Sequence, residues 1–274
     1  MKQYKIGIVG LGVVGTAVSC GIKKIGFDVI EHDIKFKTTI FDLAETDVTF
    51  ICVPTPSLST GQCDTSIVEG VVKQLYDINY EGIVAIKSTV EPGTTDRLQD
   101  KFKSLKICFV PEFLRERCAI SDFTDNHDLC VIGTTDKLVY DVIKQVHGDY
   151  PEKVLMLSQT EAELVKYFNN TYNATLITYA NNFYEICETM SADYTKVKNA
   201  AVSRKHINNS YLDCNKNLRG FGGVCLPKDT KALNYLINKK NLPCSLFECV
   251  LKENNRYEIT TFSGMRKGEE KWKY

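Results

Sequence analysis

The segment that decides the fold reads Lys5-Ile6-Gly7-Ile8-Val9-Gly10-Leu11-Gly12-Val13-Val14-Gly15. Its first half is apolar and β-branched, which is typical of a buried strand, and its second half is a GxGxxG pattern that opens a helical pattern ending at Ile25. Glycines at this spacing allow a tight turn, the close approach of a pyrophosphate, and close packing of the helix on the strand. A plain glycine turn is the alternative, but the strand before it and the helix after it favour a dinucleotide site.

A carboxylate follows at the position that such a site needs. Asp33 lies just past the end of a second strand-like segment, Asp28–Glu31, about twenty residues after the glycines. A carboxylate there accepts hydrogen bonds from the ribose hydroxyls and repels a 2′-phosphate, which favours NAD over NADP. The stretch Lys5–Asp33 therefore predicts a βαβ unit that binds NAD, and with it an oxidoreductase.

The alternation of strands and helices continues to about residue 158. The other predicted strands are Val48–Val53, Ile83–Lys87, Lys106–Val110, Leu129–Gly133 and Val154–Leu157. The predicted helices of this part are Val13–Ile25, Ser66–Tyr76, Thr94–Lys103 and Lys137–His147. This order predicts an α/β fold with a doubly wound, mostly parallel Rossmann sheet, and we assign residues 1–158 to an NAD-binding domain.

The pattern becomes helical from residue 159 onward. Thr160–Met190 has no proline or glycine and carries apolar residues at helical spacing, which predicts one long central helix. Shorter helices are expected at Tyr194–Ala201, Lys228–Lys239 and Ser245–Asn255, with a loop over Ser210–Pro227. We assign residues 159–274 to an α-helical central domain and expect the polar tail after Arg256 to be poorly ordered.

Composition narrows the possible partners. Of 274 residues, 43% are hydrophobic and 25% charged, and the formal net charge is zero, so neither nucleic acid nor an anionic membrane is an expected partner. The 11 cysteines include no CxxC pair, so no metal site is expected. The first five residues carry no signal-peptide cleavage site, which predicts a cytoplasmic protein with free thiols.

Three polar loops follow predicted strands. They are Val53-Pro54-Thr55-Pro56, Lys87-Ser88-Thr89 and Pro111-Glu112-Phe113-Leu114-Arg115-Glu116. Loops at the carboxyl ends of the strands border the ligand crevice of a doubly wound sheet. Each one alone is equally well an ordinary polar loop, but three at one sheet edge favour a lined site.

Two further features carry candidate chemistry. The run from Gly220 to Asp229, GFGGVCLPKD, places Cys225 beside glycines and near Lys228, so it is a candidate nucleophile as well as a candidate structural cysteine. Lys166 and Asn170 lie four residues apart, on one helix face with Glu163. Lys166 and Asn170 can donate to an oxyanion, although a solvated helix face is the usual interpretation of a lone lysine.

Together these motifs resemble the UDP-glucose/GDP-mannose dehydrogenase family, and most of all its UDP-glucose 6-dehydrogenases. The resemblance is carried by GLGVVG (10–15), CVPTP (52–56), KSTVEPGTT (87–95), PEFLRE (111–116), AELVKYFNNTY (162–172) and GFGGVCLPKDT (220–230). It implies oxidation of a nucleotide sugar's primary alcohol, such as that of UDP-glucose, to a carboxylate such as UDP-glucuronate for polysaccharide biosynthesis. The oxidation uses two NAD and one water.

The resemblance also implies a role for each residue. Cys225 is the nucleophile that carries a thiohemiacetal and then a thioester, Lys166 and Asn170 stabilise oxyanions, and Asp229, Glu112 and Thr89 handle water and protons. The implied cofactor-binding residues are Gly10, Gly12, Val13, Val14, Gly15, Asp33, Val53, Pro54, Thr55, Thr89, Glu116 and Lys228. The implied substrate-binding residues are Phe113, Leu114, Arg115, Glu116, Lys166, Asn170, Phe221, Gly222, Gly223 and Cys225.

One departure from the family bears on the function. Family members usually continue into a third domain that holds much of the nucleotide, and this domain is expected to be missing here. Two alternatives therefore stay open, a non-catalytic NAD-binding remnant and a related dehydrogenase for another sugar nucleotide or a smaller substrate. The resemblance further implies a homodimer that pairs through the helix at 160–190.

Overall fold

A computed structural model of the chain describes residues Gln3–Tyr257, and the predicted polar tail from residue 258 onward lies outside them. The described chain divides into two compact units. The first unit holds residues 3–56 and 63–166, and the second holds residues 57–62 and 167–257. The boundary between functional domains at residues 158 and 159 stays a prediction.

The first unit is built on a seven-stranded sheet. Its strands are β1 (Lys5–Val9), β2 (Asp28–His32), β3 (Val48–Ile51), β4 (Ile83–Ile86), β5 (Lys106–Phe109), β6 (Leu129–Gly133) and β7 (Lys153–Leu157). They lie in the order β2-β1-β3-β4-β5-β6-β7. All pairs are parallel except β5 with β6, so the predicted mostly parallel sheet is confirmed.

Helices follow the strands in the first part of the chain, and the named elements after β7 are all helices. Those that follow the strands are α1 (Val13–Ile25), α2 (Ser66–Asp77), α3 (Thr94–Lys101), α4 (Ala119–Thr124) and α5 (Lys137–His147). The later ones are α6 (Gln159–Thr189), α7 (Tyr194–Val202), α8 (Cys225–Lys239) and α9 (Leu246–Asn254). In the described range none is long and apolar enough to cross a membrane.

Alternation along the strands explains why the sheet is covered on both faces. In β3, Val48 and Phe50 join one core with Ala17 of α1, whereas Ile51 joins a second core with Val72 of α2. Successive side chains of a strand point to opposite faces, so near-continuous apolar strands need helices on both sides. This is the doubly wound arrangement that the sequence predicts.

The direction of the chain reverses around β1. From β1 the chain moves to β2 on one side and then returns to β3 on the other. Ligands of doubly wound sheets bind outside the carboxyl ends of the strands at such a switch point. The loops after β1, β3, β4 and β5 all leave the sheet at this edge, since these four strands are parallel neighbours.

The second unit is helical, as predicted. Most of α6 belongs to it, and this helix packs Ala180 and Cys187 against Tyr194 of α7 and the buried Leu212. A smaller cluster joins Ala174 of α6, Phe221 and Val250 of α9. These two clusters give the unit an apolar interior of its own.

Two local expectations need correction. The loop expected to run to Pro227 ends earlier, because α8 already begins at Cys225. Pro227 is the third helical residue, where the backbone N–H has no partner within the helix, so its missing donor costs no helical hydrogen bond. The short helix α4 is not predicted, since its six residues are too few to show a periodic pattern.

Candidate active site

The turn after β1 requires its glycines. Gly10 has φ +89°, and a Cβ atom there would lie 2.6 Å from the carbonyl oxygen of Cys52. A Cβ atom on Gly15 would lie 1.8 Å from the carbonyl oxygen of Gly10. A Cβ atom on Gly12, by contrast, would meet nothing within 4 Å. The first and third glycines therefore shape the turn, and the second leaves open space above it.

The amino terminus of α1 is suited to an anion. Its N-cap is Gly12, no described side chain caps it, and its first turn carries no acidic residue. The N–H groups of the first turn, including those of Val13 and Val14, have no partner within the helix and carry the positive end of the helix dipole. This end of the helix therefore fits the pyrophosphate of a dinucleotide.

Asp33 is held against the glycine turn. One oxygen of its carboxylate accepts a hydrogen bond from the backbone N–H of Leu11 at 2.7 Å, and the other accepts one from the N–H of Lys35 at 3.0 Å. The bond from Leu11 is the main reason why the pKa of Asp33 lies below its usual range. The charged form that a ribose-binding carboxylate needs is thus stabilised by the turn itself.

The loops after β3 and β4 are tied together. The hydroxyl of Ser88 donates to the carbonyl oxygen of Val53 at 2.7 Å, and the thiol of Cys63 donates to that of Thr89 at 3.5 Å. Thr55 is buried and Pro54 is exposed. The predicted residues Val53, Thr55 and Thr89 therefore lie in two linked loops at the same sheet edge.

A buried ion pair fixes the loop after β5. Lys87 Nζ lies 3.0 Å from Glu112 Oε2, and the two side chains are only 1% and 7% exposed. The other carboxylate oxygen of Glu112 accepts from the N–H of Phe113 at 2.9 Å. Burial is the largest single influence on the pKa of Lys87 and would lower it, but the charge of Glu112, its hydrogen bond and the nearby thiols of Cys130 and Cys52 together outweigh burial, so this pKa is raised. Lys87 stays charged, and the pair anchors the Glu112 carboxylate.

Lys166 is an interior side chain and not part of a solvated helix face. It is buried, its ammonium donates to the backbone carbonyl of Glu112, and it lies 5.5 Å from the centre of the Phe113 ring. The predicted site residues Glu112, Phe113 and Lys166 are therefore neighbours within the first unit.

Glu163 attaches the start of α6 to the loop that carries Thr89. Its carboxylate accepts from the N–H of Gly93 at 2.5 Å and from the N–H and hydroxyl of Thr95 at 2.8 and 2.6 Å. Burial raises the pKa of Glu163 to about 7 despite these three hydrogen bonds. Glu163 thus caps α3 and holds its preceding loop in place.

Arg115 and Glu116 are the exposed members of the third loop. The guanidinium of Arg115 forms a two-pronged contact with Asp122, at 2.9 and 2.7 Å, and lowers the pKa of that carboxyl to about 2. Glu116 begins a short 3-10 helix that ends at Cys118. Leu114 is half-buried and packs on the core that includes α1.

In the second unit, Asp229 is a buried acceptor with two donors. It is fully buried, and it accepts from Asn170 Nδ2 at 2.6 Å and from Lys228 Nζ at 2.5 Å. The structure thereby joins three of the predicted site residues into one network. A carboxylate held by an ammonium and an amide can take part in proton transfer at a fixed position.

Cys225 is exposed at the first position of α8. The turn before it has left-handed backbone at Gly220, with φ +65°, and at Gly223, with φ +75°. Phe221 is buried, and Gly222 is half-buried. The alternative of a buried structural cysteine does not apply to Cys225, whereas it does apply to Cys52 and Cys108, whose thiol pKa values are raised by burial.

Some contributors to the site are not predicted from the sequence. Lys87 stands out only as part of a loop motif, although a lysine directly after a buried strand signals a need for a carboxylate partner. Asn181 and Asn254 contact the turn before Cys225, and no sequence signal distinguishes them from ordinary helix residues. Among Gln3–Tyr257, no group of three or more His, Cys, Asp and Glu side chains could hold a metal ion.

Comparison with known proteins places the chain in a family. Residues 31–150 match the model of the UDP-glucose/GDP-mannose dehydrogenase family, NAD binding domain, and residues 160–256 match the central domain of the same family. Together the two ranges cover well over half of the chain. The chain belongs to the UDP-glucose/GDP-mannose dehydrogenase family.

Named relatives match most of the chain. UDP-glucose 6-dehydrogenase of Rickettsia bellii is 33% identical over 236 residues, which cover 82% of this chain and 53% of the relative. GDP-mannose 6-dehydrogenase of Pseudomonas syringae is 29% identical and is matched over 91% of this chain and 68% of its own length. The chain spans about half the length of the Rickettsia enzyme.

A solved structure agrees with the fold. The UDP-glucose dehydrogenase of Pyrobaculum islandicum superposes with a TM-score of 0.86 at 27% identity, covering 93% of this chain and 68% of that one. The family's NAD-binding domain is thus the predicted Rossmann domain, and the cofactor NAD follows from that membership.

Proposed function

We propose that this chain is a nucleotide-sugar 6-dehydrogenase that oxidises the primary alcohol of UDP-glucose to the carboxylate of UDP-glucuronate. The observation that carries the proposal is the placement of Cys225, exposed at the start of α8 behind a glycine turn. Four residues along the same helix, Asp229 forms a buried network with Asn170 and Lys228. Membership of the family supports the reaction type.

The cofactor is held by the first unit. Its pyrophosphate binds at the glycine turn and the start of α1, and its adenosine ribose binds Asp33. The loops that carry Val53 and Thr89 border the same edge of the sheet. NAD, when bound, supplies the hydride acceptor for both oxidations.

Cys225 captures the aldehyde that the first oxidation yields. Its sulfur forms a C–S bond with the aldehyde carbon, while the thiol proton passes to the aldehyde oxygen, which gives a thiohemiacetal. The second oxidation turns this species into a thioester. Water then adds to the thioester carbonyl, the C–S bond breaks, and the carboxylate leaves as the Cys225 thiol is restored.

The remaining side chains handle charge and protons. Lys166 and Asn170 donate to the oxygen that becomes negative as the carbon centre changes geometry. Asp229 accepts a proton from the attacking water, and Glu112 and Thr89 orient that water. Lys228 pairs with Asp229 and contributes to binding the nicotinamide half of NAD, as does Glu116.

NADH formation tests the proposal directly. The purified chain is incubated with NAD and, separately, with UDP-glucose, a UDP-N-acetylhexosamine and GDP-mannose. NADH from UDP-glucose supports the proposal, and NADH from GDP-mannose alone moves the substrate toward that of the Pseudomonas syringae relative. If NAD binds but no sugar nucleotide yields NADH, the chain is a non-catalytic NAD-binding protein or acts on a smaller substrate.

The proposal includes a homodimer formed through α6. One side of this helix exposes a row of large apolar side chains, which packing within a single chain leaves open. They are Leu164, Phe168, Tyr172, Tyr179, Phe183 and Ile186 of α6, together with Met190 directly after its last residue. Light scattering at micromolar concentration should give twice the mass of the chain, and a monomer would remove this part of the proposal.

A further inference from the structure

The turn that precedes Cys225 is held by an amide side chain from another helix. Asn254, the last residue of α9, accepts a hydrogen bond from the backbone N–H of Phe221 at 2.6 Å. Its amide nitrogen donates to the carbonyl oxygen of the same Phe221 at 2.8 Å. One buried side chain thus satisfies both backbone groups of one residue, as a neighbouring strand would do.

A second amide holds the adjacent residue. Asn181 of α6 is 1% exposed, and its oxygen accepts from the N–H of Gly220 at 3.1 Å and from Arg219 Nε at 2.7 Å. Its own amide nitrogen donates to the carbonyl oxygen of Ile177 at 2.8 Å. That bond fixes which end of the amide faces the turn, so the acceptor points to Gly220.

These contacts matter because the turn cannot define its own shape. Gly220 and Gly223 take left-handed backbone, and glycine has more accessible conformations than any other residue. Phe221 packs with Ala174 and Val250, which anchors the side chain but does not orient the peptide. The orientation comes from the two amides.

We infer that Asn254 and Asn181 are positioning residues for the Cys225 thiol. By fixing the peptides of Gly220 and Phe221, they set the point at which α8 begins and hence the place of its first residue, Cys225. The effect on turnover rests on the proposed function. The effect on the thiol does not, since it concerns only the second unit.

A purely structural role would have different consequences. If the amides only stabilised the fold, their loss would lower the melting temperature and leave Cys225 as reactive as before. As positioning residues, they keep the thiol at the first turn of a helix, where backbone N–H groups stabilise the thiolate. Their loss should then slow alkylation of Cys225 at constant pH.

The test uses Asn254→Leu, which removes both hydrogen bonds at similar volume, and Asn254→Asp, which keeps only the acceptor. Asn255→Ala is the matched control, because Asn255 is the exposed neighbour of Asn254. Iodoacetamide labelling resolved by mass spectrometry follows Cys225, with the exposed Cys244 and Cys249 as internal references. Hydrogen exchange follows the amides of Gly220 and Phe221.

In Asn254→Leu we expect exchange at the Phe221 amide to rise about tenfold or more, since its acceptor is lost. Alkylation of Cys225 should slow about threefold or more relative to Cys244, since thiolate formation limits the reaction. Turnover number should fall by roughly tenfold or more with little change in the KM for NAD. Asn255→Ala should leave all three unchanged.

In Asn254→Leu, faster hydrogen exchange at the Phe221 amide with unchanged Cys225 alkylation and unchanged turnover would overturn the inference. Asn254 would then have a structural role only. If that variant does not fold, Asn254→Asp decides by the same readouts, with smaller shifts expected. If the wild-type chain forms no NADH while exchange and alkylation shift as expected, the proposed function fails and the positioning role stands. If the wild-type chain forms NADH but alkylation and turnover in Asn254→Leu equal those of the wild type, the proposed function stands and the positioning role fails.

Discussion

The first unit fixes a site loop with a buried ion pair, whereas the second unit presents an exposed thiol beside a buried carboxylate. In the first unit, Lys87 and Glu112 are paired in the interior, and Glu163 is buried beneath the loop it holds. In the second unit, the central residue Cys225 is exposed, and its position depends on a glycine turn held from outside. The first unit fixes its loop through a buried ion pair, while the second unit keeps the sulfur of Cys225 accessible.

The difference follows from what each unit has to do. Binding a cofactor requires loops that stay in place, and a buried ion pair resists rearrangement because either charge alone would be strongly disfavoured. A nucleophile must reach its substrate, so its side chain cannot be buried in the same way. It is positioned instead through its backbone.

Turnover should depend most strongly on Cys225 of the second unit. Cys225→Ser should lower net turnover by roughly 10⁴-fold or more, as removal of a catalytic nucleophile does. NAD affinity should not change, because the glycine turn and Asp33 lie in the first unit. NADH formation and NAD binding are measured on the same preparation, with Cys244→Ser as the control for an exposed cysteine. Unchanged turnover would remove Cys225 from the mechanism.

Loss of the buried Lys87 ammonium should destabilise the first unit. Lys87→Met leaves Glu112 without its partner and should lower the free energy of unfolding by about 3–5 kcal/mol. Lys73→Met is the control, because Lys73 and Asp77 form an exposed pair whose loss should cost less than about 1 kcal/mol. Urea unfolding measures both. Equal costs would mean that burial of the Lys87 pair has no structural importance.

Glu163 should give the first unit a characteristic pH dependence. Its pKa in the folded chain is about 7 because burial disfavours the charge, above the ordinary value of 4.5. The protonated form is therefore favoured by folding, so this contribution to stability is complete below pH 4.5 and is lost as the pH rises through 7. As the pH rises from 4.5 to 7, the free energy of unfolding of Glu163→Gln should increase by up to about 3 kcal/mol relative to that of the wild type.

Glu161→Gln is the control for this titration, since Glu161 is exposed and its pKa is lowered by the Ser158 hydroxyl. Urea unfolding at a series of pH values gives the free energies. A constant difference between the wild type and Glu163→Gln across the window would show that Glu163 does not titrate there.

The choice between NAD and NADP should depend more weakly on Asp33. Asp33→Asn removes the charge that repels a 2′-phosphate, and the preference for NAD over NADP should fall by roughly tenfold, or about 1.4 kcal/mol. Asp28→Asn, at the start of the same strand, should leave the preference unchanged. Titration of both cofactors supplies the ratio. If the ratio stays the same in Asp33→Asn, Asp33 does not contact the ribose.

Sequence reasoning works well where local pattern and fold agree. β1, α1, β6 and α5 have the bounds predicted for them. The two strands are short apolar runs between turn signals, and the two helices show apolar residues at helical spacing. The shared sheet edge also follows from the sequence, so the proximity of the loops that carry Val53 and Thr89 is predictable.

Other features depend on contacts that no local pattern encodes. The hydrogen bonds between Asn254 and Phe221 join residues 33 positions apart in the sequence. The Lys87–Glu112 pair forms only when the neighbouring strands β4 and β5 are in register. The sequence predicts the start of α8 too late, at Lys228, because Pro227 suggests a loop. The helix begins at Cys225, and the first turn of a helix tolerates proline. Residues that position others through the backbone are the ones that sequence reasoning misses here.

The proposed reaction is tested most sharply by the yields of NADH and of sugar carboxylate from UDP-glucose, determined together on the purified chain. We expect two NADH for each carboxylate formed in the wild type, and no carboxylate from Cys225→Ser. Binding of NAD without NADH from any nucleotide sugar would rule out the proposed reaction, and full carboxylate formation in Cys225→Ser would rule out a covalent role for Cys225.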